Sequence, residues 1–212
     1  MDIVFLFYEG MTMLDAIGPH EILARLPDVT VKIAAASAGE IRTSCNLVVH
    51  ADYSLSDVTH ADILLVPGAK SATSLHKRTD IMDWLRKINQ TTTWTTSVCT
   101  GSLILGAAGL LSGIHATSHW ATLDRLPKYG AIPTHGRIVE DGKIITAAGV
   151  SAGIDMALML AAKVSGEHIA KRLQLTIEYD PEPPFNAGSP EKAGIELVNE
   201  LRANMLKVFE KE

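Results

Sequence analysis

Apolar positions recur along this chain at two spacings, and the alternation between them outlines a fold. Residues 3–7 form an unbroken apolar run of strand length, closed by Tyr8-Glu9-Gly10. Met13, Leu14, Ile17, Ile22, Leu23 and Leu26 then follow at near-helical intervals, predicting a helix over about 12–26 that Gly18-Pro19 kinks or restarts. Residues 29–36 read as a second strand, and 41–52, with Cys45 inside, as a peripheral hairpin. The stretch 62–66 is nearly continuously apolar, as expected of a parallel strand covered on both faces, and it stops at Pro67-Gly68-Ala69. Residues 80–89 form an amphipathic helix with Asp80 in the capping position.

The second half repeats the alternation. Residues 91–98 are rich in Thr, Trp and Val and predict a buried strand, and 100–111 are small and apolar and predict a core helix. Ala116 to Trp120 leads into another short helix. Residues 137–146 read as a hairpin whose Asp141-Gly142 favours a type I′ turn. Two further helices are expected over 152–164 and 168–179. A turn-rich link, 180–190, joins them to a last helix over 191–209 with an apolar stripe of Ile195, Val198, Leu201, Met205 and Val208. Repeated strand–helix–strand order predicts an α/β fold, a doubly wound three-layer sandwich on a mostly parallel sheet. Ligands of such sheets bind beyond the carboxyl ends of the strands, near the point where strand order reverses.

Length and composition narrow the function classes. The 212 residues suit one domain, 1–212, with a core over about 2–178 and the link and helix of 180–212 appended. A net charge of −5 with scattered Lys and Arg argues against nucleic-acid binding. The 47% hydrophobic content contains no run able to span a bilayer, and the first residues enter a strand without a signal-peptide pattern. Two Cys without CxxC spacing supply neither a disulfide framework nor a zinc site, and the scattered His form no metal-ligand pattern. A cytoplasmic protein without metal or organic cofactor is expected.

The candidate chemistry centres on Ser97-Val98-Cys99-Thr100-Gly101-Ser102, where Cys99 falls between strand and helix. A helix start carries unpaired N–H groups and partial positive charge, which favour a thiolate and can hold negative charge on an attacked substrate. The arrangement resembles a nucleophile elbow, with Gly101 permitting close approach of substrate or strand. Asp15, early in the first helix, is either a carboxyl raised into the neutral range to move protons or a residue stabilising its helix start. His119 is either a base or a structural, pocket-lining ring. Asp155 suits a buried hydrogen bond or a subunit contact, and Cys45 a structural place.

Together, Tyr8-Glu9-Gly10, Leu14-Asp15-Ala16-Ile17-Gly18-Pro19, Val66-Pro67-Gly68, Ser97 to Gly101, Ala107 to Gly113, Ala116 to Trp120 and Thr146 to Asp155 resemble the ThiJ/PfpI superfamily, with its class I glutamine amidotransferase-like (flavodoxin-like) fold. The Cys-Thr-Gly version with an Asp in the first helix is similar to the isonitrile hydratase branch. That resemblance implies a lyase hydrating a small-molecule isonitrile to a formamide through a Cys99 thioimidate. Asp15 would relay the proton and Thr100 would position substrate or water. Gly68, Ala69, Gly101 and His119 would line the pocket, and the protein would be a homodimer with the site near the interface. Protease- and glyoxalase-like branches show Cys-His with a Glu in the first helix, which this chain lacks. A related pattern in AraC-type regulators implies the alternative, a ligand or redox sensor. Such a regulator needs a two-helix DNA reader, and 180–212 offers one helix.

Overall fold

The computed structural model describes residues 1–70 and 72–209. Its elements follow the sequence pattern in order: β1 (Asp2–Leu6), α1 (Met13–Leu23), β2 (Thr30–Ala35), β3 (Gly39–Arg42), β4 (Val48–Ala51), β5 (Tyr53–Ser54) and β6 (Ile63–Val66). Then come α2 (Thr79–Asn89), β7 (Trp94–Val98), α3 (Gly101–Ala107), β8 (His115–Ala116), β9 (Ile132–Pro133), β10 (Ile138–Asp141) and β11 (Ile144–Ala147). Four helices end the chain: α4 (Ala152–Ser165), α5 (Glu167–Thr176), α6 (Pro190–Ala193) and α7 (Ile195–Phe209).

Seven strands form the central sheet in the order β10-β11-β7-β6-β1-β2-β5, all parallel except the edge strand β10. The strands β1, β6 and β7 are almost wholly buried, which is why they read as apolar or Thr-rich runs rather than as alternation. Helices α1 and α4 cover one face. There Gly153 brings α4 against Val98 of β7 and Pro19 of α1, and a Cβ on Gly153 would lie 3.0 Å and 3.1 Å from them. Helices α2 and α3 lie on the other face, joined where Arg86 Nε donates to Ala108 O at 2.9 Å. The chain winds outward from β1 to β5, then returns to β6 on the opposite side of β1. The strand order therefore reverses at β1/β6, and the carboxyl ends of β1, β6, β7 and β11 open side by side.

Several local expectations change in three dimensions. Helix α1 runs unbroken through Gly18-Pro19, because Gly18 and Pro19 are wedged against Ile154 and Gly153 of α4. The helix after Cys99 ends at Ala107, short of residue 111. Gly109 takes φ +80°, Leu110 N donates to Leu105 O and Gly109 N to Gly106 O, a Schellman stop. Asp80 does not cap α2. It lies in the first turn, gripped by the Arg78 guanidinium at 2.9 and 2.6 Å, and Arg78 holds the capping position. In the β10–β11 hairpin the two loop residues are Gly142 and Lys143, and of these only Gly142 has positive φ. That is the type II′ signature, not I′. The segment after Trp120 is a 3₁₀ turn, Leu123–Tyr129. The last helix breaks at Gly194 into α6 and α7. Arg202 of α7 lies over the Trp120 ring at 5.6 Å, while Ile195 stays largely exposed; the Val208 side chain lies outside the described residues. Among the described residues, no helix is long and apolar enough to cross a membrane.

The closest packing in the molecule lies under the β7–α3 turn. A Cβ on Gly101 would stand 2.2 Å from Val66 O and 3.1 Å from the Pro67 backbone, neither of which can yield without moving the sheet. Gly101→Ala is expected to lower unfolding stability by roughly 1–3 kcal/mol or to prevent folding. Gly188→Ala, where a Cβ meets nothing, should leave it nearly unchanged. Thermal denaturation of the two variants beside the parent checks this.

Candidate active site

Four strand ends supply the candidate site. From β7 comes Cys99, a non-glycine residue at φ +60°, a conformation costing about 1–2 kcal/mol that the surrounding structure imposes. Its N–H is held by the carbonyls of Ala147 (3.1 Å) and Ala148 (2.9 Å) beyond β11. Its carbonyl accepts the hydroxyls of Ser102 (3.3 Å) and Ser118 (3.2 Å). The elbow predicted from sequence is thus present, pinned at both ends.

From β1 comes the Tyr8 to Thr12 connection and then Asp15, completely buried in the first turn of α1. The β6 turn Pro67-Gly68-Ala69 lies between Asp15 and the elbow and is tied to both. Gly68 N donates to Asp15 Oδ2 at 2.9 Å, and Thr12 N donates to Gly68 O at 2.8 Å. Thr100 Oγ1 donates to Ala69 O at 2.8 Å and accepts from Ala69 N at 2.9 Å. Tyr8 Oη donates to Pro67 O at 2.7 Å. The turn must be glycine at 68, because a Cβ there would fall 2.6 Å from both Thr100 N and Thr100 Oγ1.

These contacts assign each expected residue a place. Cys99, Asp15 and Thr100 come together. The N–H groups of Gly68 and Ala69 serve Asp15 and Thr100, so they shape the site from behind, and Thr100's hydroxyl is spent on the turn. Gly101 lies under the elbow. The His119 ring packs 3.0 Å from the position of a Cβ on Gly149 and stacks on Trp120 at 5.4 Å. Its Nδ1 accepts from Ala121 N at 3.3 Å, which leaves the proton on Nε2, and it makes no hydrogen bond to Cys99. Asp155 pairs with Arg137, and Cys45 is exposed in the β3–β4 hairpin. Tyr8, Val150 and Arg137 bear on the site although nothing in their spacing marks them. A separate cleft of about 440 Å³, lined by Phe7, Ala35, Ile41 and Leu75, adjoins the site at Tyr8 and Glu9.

Electrostatics overturn one expectation. The Cys99 thiol is pushed up to about 12 by burial and by the Asp15 carboxyl beside it, against the pull of the Val150 and Thr100 N–H groups and the Thr100 hydroxyl. Burial outweighs the pull of the helix start, so the Cys99 thiol lies above its ordinary range rather than below it. Burial likewise raises Asp15 to about 7, opposed by the Gly68 N–H and the Cys99 thiol. By distance and angle Oδ1 has no hydrogen-bond partner among the described residues. Burial drives Tyr8 well above the usual phenol range, with Asp15 and Cys99 adding to it, so it stays a neutral donor. The site therefore holds one thiol proton and one carboxyl that gains and loses a proton near neutrality.

The DJ-1/PfpI family model matches residues 1–163. The chain belongs to the DJ-1/PfpI family. Among curated members, isonitrile hydratase from Pseudomonas putida is 41% identical over 202 residues, covering 95% of this chain and 89% of that protein. The HTH-type transcriptional regulator CdhR of Pseudomonas aeruginosa is 31% identical over 141 residues, 65% of this chain and 41% of the regulator. Among solved structures, a ThiJ/PfpI family protein from Pseudomonas syringae is 37% identical with a TM-score of 0.90, covering 98% of this chain and 89% of that one. Drosophila melanogaster DJ-1beta shares the DJ-1/PfpI fold at 19% identity and a TM-score of 0.76, covering 85% and 98%.

Because folded Asp15 keeps its proton to about pH 7, whereas an unfolded carboxyl loses it near pH 4, its contribution to stability is fully present below pH 4. That contribution is lost as pH rises to about 7. The loss is on the order of 4 kcal/mol across that window. His20, His76 and His119, lowered by burial, slope the other way. The difference between the parent and Asp15→Asn, measured by urea unfolding from pH 4 to 8, isolates the carboxyl. The parent should lose stability relative to the variant as pH rises.

Proposed function

We propose that this protein is an isonitrile hydratase, adding water to R–N≡C to release R–NH–CHO. The observation that carries the reading is the pairing, at one buried point, of a protonated thiol with a carboxyl that titrates near neutrality. The 41% identity to the Pseudomonas putida isonitrile hydratase over nearly the whole chain supports it. An isonitrile carbon accepts both a proton and a nucleophile, so a neutral S–H suits it better than a free thiolate. Addition forms the S–C bond and moves a proton to that carbon, giving R–N=CH–S–Cys99. Water then adds to the same carbon while Asp15 takes its proton and returns it to nitrogen. Collapse of R–NH–CH(OH)–S–Cys99 breaks the C–S bond, and the hydroxyl proton passes through Asp15 to sulfur.

In this scheme Thr100 keeps the Pro67-Gly68-Ala69 turn, and through it Asp15, in register, with Gly101 supporting the elbow from beneath and His119 beside the pocket. No step needs a metal or organic cofactor. We read the enzyme as a single-domain cytoplasmic homodimer. Leu14 and Ile17, 44% and 45% exposed on either side of Asp15, put an apolar helix face beside the site where a second copy would cover it. The likeness to the CdhR regulator favours a second reading, a ligand or redox sensor built on Cys99.

Incubation of the protein with a small alkyl isocyanide, with formamide followed by chromatography, tests both readings. Cys99→Ala should yield no formamide. Asp15→Asn should lose about 100-fold or more in kcat, as removal of a proton-transfer group does. Thr100→Val, which keeps its backbone N–H but releases Ala69, should lose roughly tenfold. Absence of formamide across several isocyanides would favour the sensor, and unchanged turnover in a variant would remove that residue from the scheme.

A further inference from the structure

The turn Ala148-Gly149-Val150-Ser151, between β11 and α4, closes one wall of the site, with His119 packed on Gly149. Val150 has φ +20°, far from any relaxed basin for a β-branched residue, and its N–H is one of the groups that pull the Cys99 thiol down against its burial. Two residues earlier, Ala148 holds the Cys99 N–H on its carbonyl at 2.9 Å. Backbone this strained persists only where its flanks are fixed.

Both flanks lead to one residue. Before the strained position, Ala148 N donates to Arg137 O at 2.9 Å. After it, the Arg137 guanidinium reaches α4 twice: Nε donates to Asp155 Oδ2, and Nη2 to Ser151 Oγ at 3.4 Å. Asp155 and Ser151 lie four residues apart on one face of the helix start. Tyr179, beyond α5, closes the group against Arg137 and Asp155. We propose that Arg137 is a positioning residue, a clamp from the β10–β11 hairpin that spans the strained turn and holds the Val150 N–H on the Cys99 sulfur.

The ion pair is partly exposed, with Arg137 at 53% and Asp155 at 27%, so its direct contribution to global stability is small. Its geometry matters more than its charge. Releasing either flank lets Val150 relax toward negative φ, which turns its N–H away from the sulfur and removes a donor that favours the thiolate. The clamp acts on the reactivity of Cys99 whatever electrophile the thiol meets, so its test needs no isonitrile turnover.

Cys45, exposed in the β3–β4 hairpin, serves as an internal reference. The folded full-length protein is alkylated with iodoacetamide between pH 7 and 10, and the two thiols are quantified separately by peptide mass spectrometry. In Arg137→Ala and Asp155→Asn, Cys99 alkylation is expected to slow about tenfold relative to Cys45, with its pH profile moved upward by about one unit, the size of one lost N–H bond to a thiolate. Asp15 and Tyr8, which titrate beside the same sulfur, are unaltered in both variants. Melting temperatures should stay close to the parent's. Arg137→Lys keeps the charge opposite Asp155 but loses the fork to Ser151, so an intermediate rate is expected, and this variant carries the test if Arg137→Ala does not fold. A Cys99 rate and pH profile within twofold and a few tenths of a unit of the parent in the folded variants would overturn the proposal. So would a slowdown that Arg137→Lys restores fully, because charge alone would then account for it.

Discussion

The hydrogen bond from Gly68 N to Asp15 Oδ2 is the constraint on which the site depends. It joins two pieces of chain far apart in sequence and meets a third, the Thr100 turn. The carboxyl comes from the start of α1, the amide from the turn after β6, and the space between them exists only because residue 68 has no side chain. That space is then bounded by Thr100, whose hydroxyl both gives and takes a bond with Ala69. A shift of a few tenths of an ångström in any of the three would break the set, since a Cβ at 68 already overlaps Thr100 backbone. Buried polar groups are tolerated because nearly all are paired. Asp15 Oδ1 is one of the few left without an aligned partner among the described residues.

Burial then sets the proton inventory. Removing a carboxyl and a thiol from water together penalises charge on each, and charge on one penalises charge on the other. The outcome is a neutral sulfur and a carboxyl poised near neutrality. An elbow with an exposed thiolate would suit attack on a carbonyl. A neutral S–H beside a proton acceptor suits addition across a carbon that takes proton and sulfur together. The strained Cys99 backbone is held by the Ala147 and Ala148 carbonyls at the β11 end of the sheet, and the strained Val150 follows in the turn after them.

The elements themselves were legible as pattern, because burial on both sheet faces forces apolar strands and burial on one forces amphipathic helices such as α2. Cys99 was legible because a thiol between a Thr-rich strand and a small-residue helix has few other uses, and Asp15 because it follows the first strand end. Misreadings arose where a local signal competed with a tertiary contact. Pro19 signalled a kink, but α4 packs against it. Asp80 had a cap's identity, but Arg78 lay closer. Asp141-Gly142 signalled one turn, while strand register moved the loop by a residue.

Residue order alone determined the α/β alternation, the strand ends where a site had to form, and two of the groups within it, since these follow from periodicity and from the rule that parallel sheets open at their carboxyl edge. Only the tertiary structure decided that Gly68 and Ala69 spend their amides on Asp15 and Thr100, that Tyr8 bonds the Pro67 carbonyl, and that burial pushes the Cys99 thiol up. Those facts depend on distances between segments 31 to 59 residues apart and on how completely water is excluded between them, and neither quantity is written in the spacing of residues along a chain.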